Sequence, residues 1–161
     1  MEKHQELREQ AKRNIQVADH MITMSYPMFK DPKILVSAVK TLLKAGDNAI
    51  TSMLEYERLF KRIPIYHDSI DVKINLFKQK IMPLYKLSNT HLKLLNSLTD
   101  LSKAHKESSV EFPRKDKFIM CSETYEMRTL TIADLKSLIK ETKLLVEDTY
   151  KVTSKNDRIF K

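Results

Sequence analysis

The fold is decided by residues 32–62, which read PKILVSAVKTLLKAGDNAITSMLEYERLFKR. Apolar side chains recur here every three or four residues, the spacing that lines one face of an α-helix. Asp31 and Pro32 stand where an N-cap and a first helical residue are preferred, and Gly46 is a weak point that a long helix tolerates. The stretch therefore predicts one long helix, with the apolar stripe Leu35, Ala38, Leu42, Ala45, Ala49, Met53, Tyr56 and Phe60.

The same spacing predicts further helices on both sides. One is expected over residues 2–24, and Pro27 is expected to end it, because proline disfavours helical dihedrals in the residue before it. Another follows Ser69, and Pro83 is expected to kink or end it. The last two helices carry the stripes Leu94, Leu95, Leu98 and Leu101 and, after a capping box at Thr131 to Asp134, Leu135, Leu138 and Ile139.

Residues 109–130 lose the helical spacing. Two short runs, FIMCS and YEMRTL, flank the polar triplet at 122–124 and predict a β-hairpin at about 117–130. Short connections between helices favour antiparallel neighbours. We therefore expect a mainly α protein, an antiparallel bundle of about five helices with a β-hairpin inserted before the last helix. It forms a single domain over residues 1–150, followed by a frayed tail over residues 151–161.

Composition excludes several classes of site. Gly46 is the one glycine, whereas P-loops and dinucleotide-binding turns need several. Cys121 is the one cysteine, so neither an intrachain disulfide nor a cysteine-rich zinc site can form. The uncharged stretch at 20–29 has about half of the ~20 apolar residues that span a bilayer. We expect a cytoplasmic protein without a metal, a small-molecule cofactor or a membrane partner.

The chain carries a formal net charge of +8, from 29 basic and 21 acidic residues. A net positive charge favours anionic partners such as nucleic acid. The excess is spread over the helices rather than concentrated in one run, and lysine-rich helix surfaces also keep a domain soluble. Composition therefore leaves both a functional basic face and a solubilising surface open.

The nucleic-acid-binding candidates are basic residues in and beside the hairpin. If they converge beside an extended β-surface, they can follow a phosphate backbone. Cross-strand ion pairs with the acidic residues of the same segment are the alternative explanation, and a solvated face is the alternative for the lysines of the last helix. The candidates are Arg114, Lys115, Lys117 and Arg128 of the hairpin and Lys136 and Lys140 of the last helix.

Residues 62–67, RIPIYH, place four residues between an Arg and a His. This spacing resembles the Arg-x(4–6)-His motif of HEPN ribonucleases, small helical bundles that dimerise to form a composite RNA-cutting site. The resemblance implies that His67 assists proton transfer at the 2′-hydroxyl and that Arg62 holds the phosphate. Arg13 and His20 satisfy the same spacing rule.

Three longer segments, YPMFKDPKILVSAV at 26–39, EYERLFKRIP at 55–64 and SSVEFPRKDKFIMCS at 108–122, resemble segments of small uncharacterised archaeal helical proteins. This resemblance implies a single globular unit and no particular activity.

Three hypotheses on function follow. The first is a non-enzymatic protein that binds RNA or a ribonucleoprotein through the 112–130 hairpin and adjacent lysines. The second is a HEPN-like endoribonuclease that uses Arg62 and His67. The third is a protein–protein adaptor or a homodimer, in which the charge only solubilises the surface. The sequence supports no other hydrolase mechanism, since it has neither a glycine-flanked serine nor a reactive Cys–His context.

Overall fold

The structure, a computed structural model, describes residues 1–155. This part of the chain forms five helical rods and a three-stranded antiparallel sheet that precedes the last rod, which confirms the predicted fold class. The elements are α1 (Lys3–His20), a π-helical turn (Met21–Ser25), α2 (Tyr26–Phe29), α3 (Lys33–Leu59), α4 (Ile70–Leu76), a second π-helical turn (Phe77–Ile81), α5 (Met82–Tyr85), α6 (Thr90–Glu107), β1 (Ser108–Arg114), β2 (Lys117–Ser122), β3 (Met127–Thr131) and α7 (Ile132–Thr153).

The first rod does not end at Pro27. Tyr26 keeps helical dihedrals, with φ −64° and ψ −46°, and its N–H donates to the carbonyl of Met21 across the π-helical turn. The wider turn lets the rod continue past a residue that has no N–H to donate, so the predicted break before Pro27 is wrong. The rod with Pro83 continues in the same way to Tyr85.

The long helix α3 lies at the centre of the bundle, where it packs against α1, α6 and α7. Its contact with α6 is close at Gly46, because a Cβ there would lie 2.9 Å from Cδ2 of Leu95. Polar contacts also join helices: the Ser52 hydroxyl of α3 donates to the His4 carbonyl of α1 at 2.6 Å, and His91 Nε2 of α6 lies 2.6 Å from a carboxylate oxygen of Asp148 in α7.

The predicted hairpin is present as β2 and β3, and a further strand, β1, pairs with the other edge of β2. The strand β1 was not predicted, and it ends just before the predicted hairpin begins. Arg114 ends β1, residues 115–116 form a turn, and Lys117 begins β2. β1 follows α6 with no intervening residue and accommodates Pro113, since an edge strand tolerates the missing donor.

The sheet leads directly into α7 through the predicted capping box. The Asp134 N–H donates to Thr131 Oγ1, and the Thr131 N–H donates to an Asp134 carboxylate oxygen, both at 3.0 Å. Fraying was expected from Lys151, but α7 continues to Thr153, because Val152 and Thr153 are buried. Residues 156–161 of the expected tail lie outside the described residues. Within residues 1–155, no helix combines the length and the apolar character needed to cross a membrane.

Candidate functional site

The sheet packs one face against the bundle, while several side chains of the other face are exposed. Phe118, Met120 and Leu130 on the inner face belong to the hydrophobic core, together with side chains of α3 and α6. Side chains alternate along a strand, so the residues between them lie on the opposite face. We call that surface the outer sheet face. By register it carries Val110, Phe112 and Arg114 of β1, Lys117, Ile119 and Cys121 of β2, and Met127, Thr129 and Thr131 of β3.

Two cations share one end of the outer sheet face. Arg114 and Lys117 are direct partners in the register of β1 and β2, and Lys115 lies in the turn between them with a left-handed φ of 57°. We call these three residues the basic end. All three are exposed, and within residues 1–155 none makes an ion pair or a side-chain hydrogen bond.

The acidic residues of this segment do not neutralise the basic end. Glu111 instead lies 2.8 Å from His105 Nδ1 and accepts a hydrogen bond from Ser108. In the part of the chain that is described, Asp116, Glu123 and Glu126 form no ion pair. The cross-strand ion pairs that the sequence left open are thus absent from residues 1–155, and Asp116 in the turn is the nearest carboxylate along the chain.

Arg128 lies apart from the basic end. Its register partner is Met120, so it shares the inner face, where it borders a shallow cavity of about 210 Å³ beside α6. The sequence left open whether these cations converge, and in the structure Arg128 and Arg114 lie on opposite faces of the sheet. Lys115 lies in the two-residue turn before β2 and therefore belongs to neither face of a strand.

Lys136 and Lys140 lie on the exposed side of α7. This helix begins next to the basic end, since its N-cap Thr131 is the register partner of Lys117. A helix N-terminus carries a partial positive charge, which adds to the field of the nearby cations. By helix rise, Lys136 lies about 8 Å and Lys140 about 14 Å along the axis from the N-cap.

Phe112 is a residue that the sequence reasoning missed. It lies in the middle row of the outer sheet face, opposite Ile119, and 38% of its surface is exposed. On the same face, Val110 of β1 is 55% exposed and Met127 of β3 is 59% exposed. The alternation of Val110, Glu111 and Phe112 is a strand signal, but Pro113 and the lack of a loop after α6 obscured it.

Arg62 and His67 lie in the connection between α3 and α4. The Arg62 guanidinium donates to Glu57, whose side chain is 1% exposed and which also accepts a hydrogen bond from the Tyr85 hydroxyl. The hydrogen bond to Glu57 raises the pKa of Arg62 above its ordinary value. His67 is exposed, and within residues 1–155 its side chain makes neither a hydrogen bond nor an ion pair, although its charge acts on the neighbouring Asp68. Arg62 thus already has a structural role in anchoring the connection.

A second polar region surrounds a cavity of about 380 Å³ between α1, α3 and α4. Lys73, with 7% of its side chain exposed, donates to Asp47 at 3.1 Å and to Asp68. Burial lowers the pKa of Lys73, but hydrogen bonds and attraction from the two carboxylates outweigh burial, and the net shift is upward. A lysine held charged in this way is a structural ion-pair partner rather than a nucleophile.

Among residues 1–155, no three carboxylate, imidazole or thiol side chains come together so that they could hold a metal ion. No family model, no curated protein and no solved structure matches the chain. The function must therefore be argued from the chemistry of three regions: the outer sheet face, the α3–α4 connection and the polar cavity.

Proposed function

We propose that the protein is a non-enzymatic RNA-binding protein whose basic end contacts the phosphate backbone. The observation that carries this proposal is the direct opposition of Arg114 and Lys117 without a carboxylate partner in residues 1–155. Like charges placed directly opposite each other in a sheet are destabilising, so the pair has a cost in the free protein. A phosphate between the two side chains removes the repulsion and forms charge-assisted hydrogen bonds.

The surroundings of the basic end support an extended anionic polymer over a single ion. Lys115 lies exposed in the turn between the two cations, and α7 begins at Thr131, the register partner of Lys117. Lys136 is a further exposed cation within the first turns of that helix. Cations spaced in this way contact successive phosphates of one strand, which supplies affinity but little sequence specificity.

The nuclease hypothesis receives less support. A catalytic arginine must be free to hold the scissile phosphate, whereas Arg62 is hydrogen-bonded to a buried carboxylate. Releasing Arg62 to bind RNA would leave the Glu57 carboxylate buried without its charge partner, which is costly.

The test measures binding of a fluorescently labelled single-stranded RNA of mixed sequence to the full chain, by anisotropy from 50 to 200 mM salt. We expect affinity to fall steeply with salt and the log–log slope to become shallower by about 0.7 for each lost contact in Arg114→Gln and Lys117→Gln. Lys80→Gln is the matched control, since Lys80 is exposed in the second π-helical turn and makes no ion pair within residues 1–155.

Two results would overturn the proposal. One is undetectable binding at 50 mM salt. The other is an equal effect of Arg114→Gln, Lys117→Gln and the control. Electrophoresis of the RNA after incubation examines the nuclease alternative: we expect intact RNA, whereas cleavage that His67→Ala abolishes would establish the enzyme instead.

A further inference from the structure

We infer that the outer sheet face binds single-stranded nucleic acid, with one unpaired base stacked on the ring of Phe112. This inference rests on the proposed function, because it takes the basic end as the phosphate contact of the same strand. To the proposed function it adds that the ligand is an unpaired strand rather than a duplex, and that Phe112 is the residue that distinguishes the two.

The position of Phe112 relative to the cations suits this role. Phe112 and Arg114 are two residues apart on one strand and on the same face, a separation of about 7 Å. Ile119, the cross-strand partner of Phe112, is only 6% exposed and supports the ring from the side. A base stacked on Phe112 therefore has its phosphate within reach of Arg114 or Lys117. Base–aromatic stacking beside a basic groove is the common mode of single-strand binding.

The dimensions of the face disfavour a duplex. Three strands span about 10 Å, and the turn at the basic end has only two residues, at 115–116. The strands β1 and β2 that carry the face are joined only by this short turn, which is too small to enter a groove. Bases in a duplex are stacked on one another and present only their edges, whereas an unpaired base can turn its face to an aromatic ring.

Charge and edge chemistry also disfavour a second copy of this chain on the same face. Two copies would bring Arg114 and Lys117 of one near those of the other, and like charges repel. Pro113 removes a backbone donor from the edge strand β1, which hinders the pairing of edge strands between copies.

The experiment uses the absence of tryptophan from the chain. Phe112→Trp introduces a single tryptophan, which is excited at a wavelength that the six tyrosines do not absorb. The variant is titrated with a ten-nucleotide adenosine oligomer and with a blunt RNA duplex of equal length. We expect the oligomer to quench the fluorescence and the duplex to leave it unchanged. In anisotropy, Phe112→Ala weakens binding of the oligomer about tenfold and does not alter the salt dependence.

Phe29→Ala is the matched control, since Phe29 is an exposed aromatic residue at the end of α2. Phe112→Leu keeps an apolar side chain without a π-face, so it separates lost stacking from misfolding, and we expect it to bind like Phe112→Ala. If the oligomer binds with a steep salt dependence but without quenching, and Phe112→Ala equals Phe29→Ala, the stacking inference is wrong while the proposed function stands. If neither nucleic acid binds at 50 mM salt, the proposed function itself fails. A wild-type dimer in sedimentation that Phe112→Ala dissociates would assign the face to a second copy and overturn the inference.

Discussion

Arg114 lies directly opposite Lys117 where β1 turns into β2, so two like charges meet at one end of the outer sheet face. We predict that Arg114→Gln increases the free energy of unfolding by about 0.5 kcal/mol at low salt, because it removes this repulsion. This increase in stability disappears at about 0.5 M salt, because salt already screens the repulsion between Arg114 and Lys117 in the unmodified protein. Urea unfolding at the two salt concentrations measures the difference. A loss of stability at low salt would show that Arg114 contributes a stabilising contact in the free protein. Because the same substitution weakens RNA binding, stability and affinity change in opposite directions.

Asp68 and Lys73 join the α3–α4 connection to α4. The hydrogen bond from Lys73 and its charge lower the pKa of Asp68 below the ordinary value of 3.8. A carboxylate whose pKa is lower in the folded than in the unfolded protein stabilises the fold at pH values above its ordinary pKa. This contribution is lost as the pH falls through the lower pKa of the folded state. We therefore expect Asp68→Asn to reduce the pH dependence of stability below about pH 4.

Carbon-detected NMR titration of the Asp68 carboxyl group tests the cause directly. Lys73→Met is expected to return the pKa of Asp68 toward its ordinary value, because the donor and its charge are both lost. Lys80→Gln, an equivalent loss of charge elsewhere, is expected to leave it unchanged. An unchanged Asp68 pKa in Lys73→Met would contradict this assignment.

Glu57 holds Arg62 and Tyr85 from a site that is almost fully buried. Glu57→Gln keeps the shape of the side chain but removes the charge, and we predict that it destabilises the protein by about 2 kcal/mol. Arg62→Gln has a similar cost, and the double variant costs less than the sum of the two, because the residues act on each other. Chemical denaturation of the four proteins measures the coupling. Glu123→Gln, on the exposed turn between β2 and β3, is the control, and additive effects would show that the two residues are independent.

Gly46 allows α3 and α6 to approach closely at Leu95. Gly46→Val places atoms against a leucine that is fully buried, and we predict a destabilisation of about 2 kcal/mol. The double variant with Leu95→Ala is expected to lose less than the two single variants together, because the smaller side chain accommodates the valine. Lys44→Val, exposed on the same helix, controls for the helix propensity of valine. Thermal unfolding measures all four variants, and a stabilising Gly46→Val would contradict the close approach.

The prolines show where local sequence rules reach their limit. Pro27 and Pro83 were expected to end or kink their helices, yet both rods continue through a π-helical turn before the proline. The missing N–H is a local property, but whether a helix accommodates it depends on the packing on either side. Tyr26 and Ile81 are buried next to these prolines, and their burial favours continuation of each rod.

The sequence named the cations of the candidate site but not their arrangement. Arg114, Lys115 and Lys117 form the basic end, whereas Arg128 lies on the opposite face and Phe112 was overlooked. Phe112 was overlooked because β1 was not expected, whereas the face of Arg128 depends on the register between β2 and β3. Without that strand, the register that puts Phe112 beside the cations could not be derived. The pairing of β1 with β2 is a contact between strands, and a single strand on the edge of a small sheet carries only a weak signal of its own.

The sequence by itself determined the helices, because an apolar stripe and a capping box such as that of Thr131 and Asp134 act within a few residues of chain. It also determined that the chain is basic. Only the tertiary structure decided which cations share a surface. The packing of Phe118, Met120 and Leu130 against the bundle sets the register of the sheet. A shift of one residue in a strand exchanges its two faces, so a basic end exists only because this core holds that register.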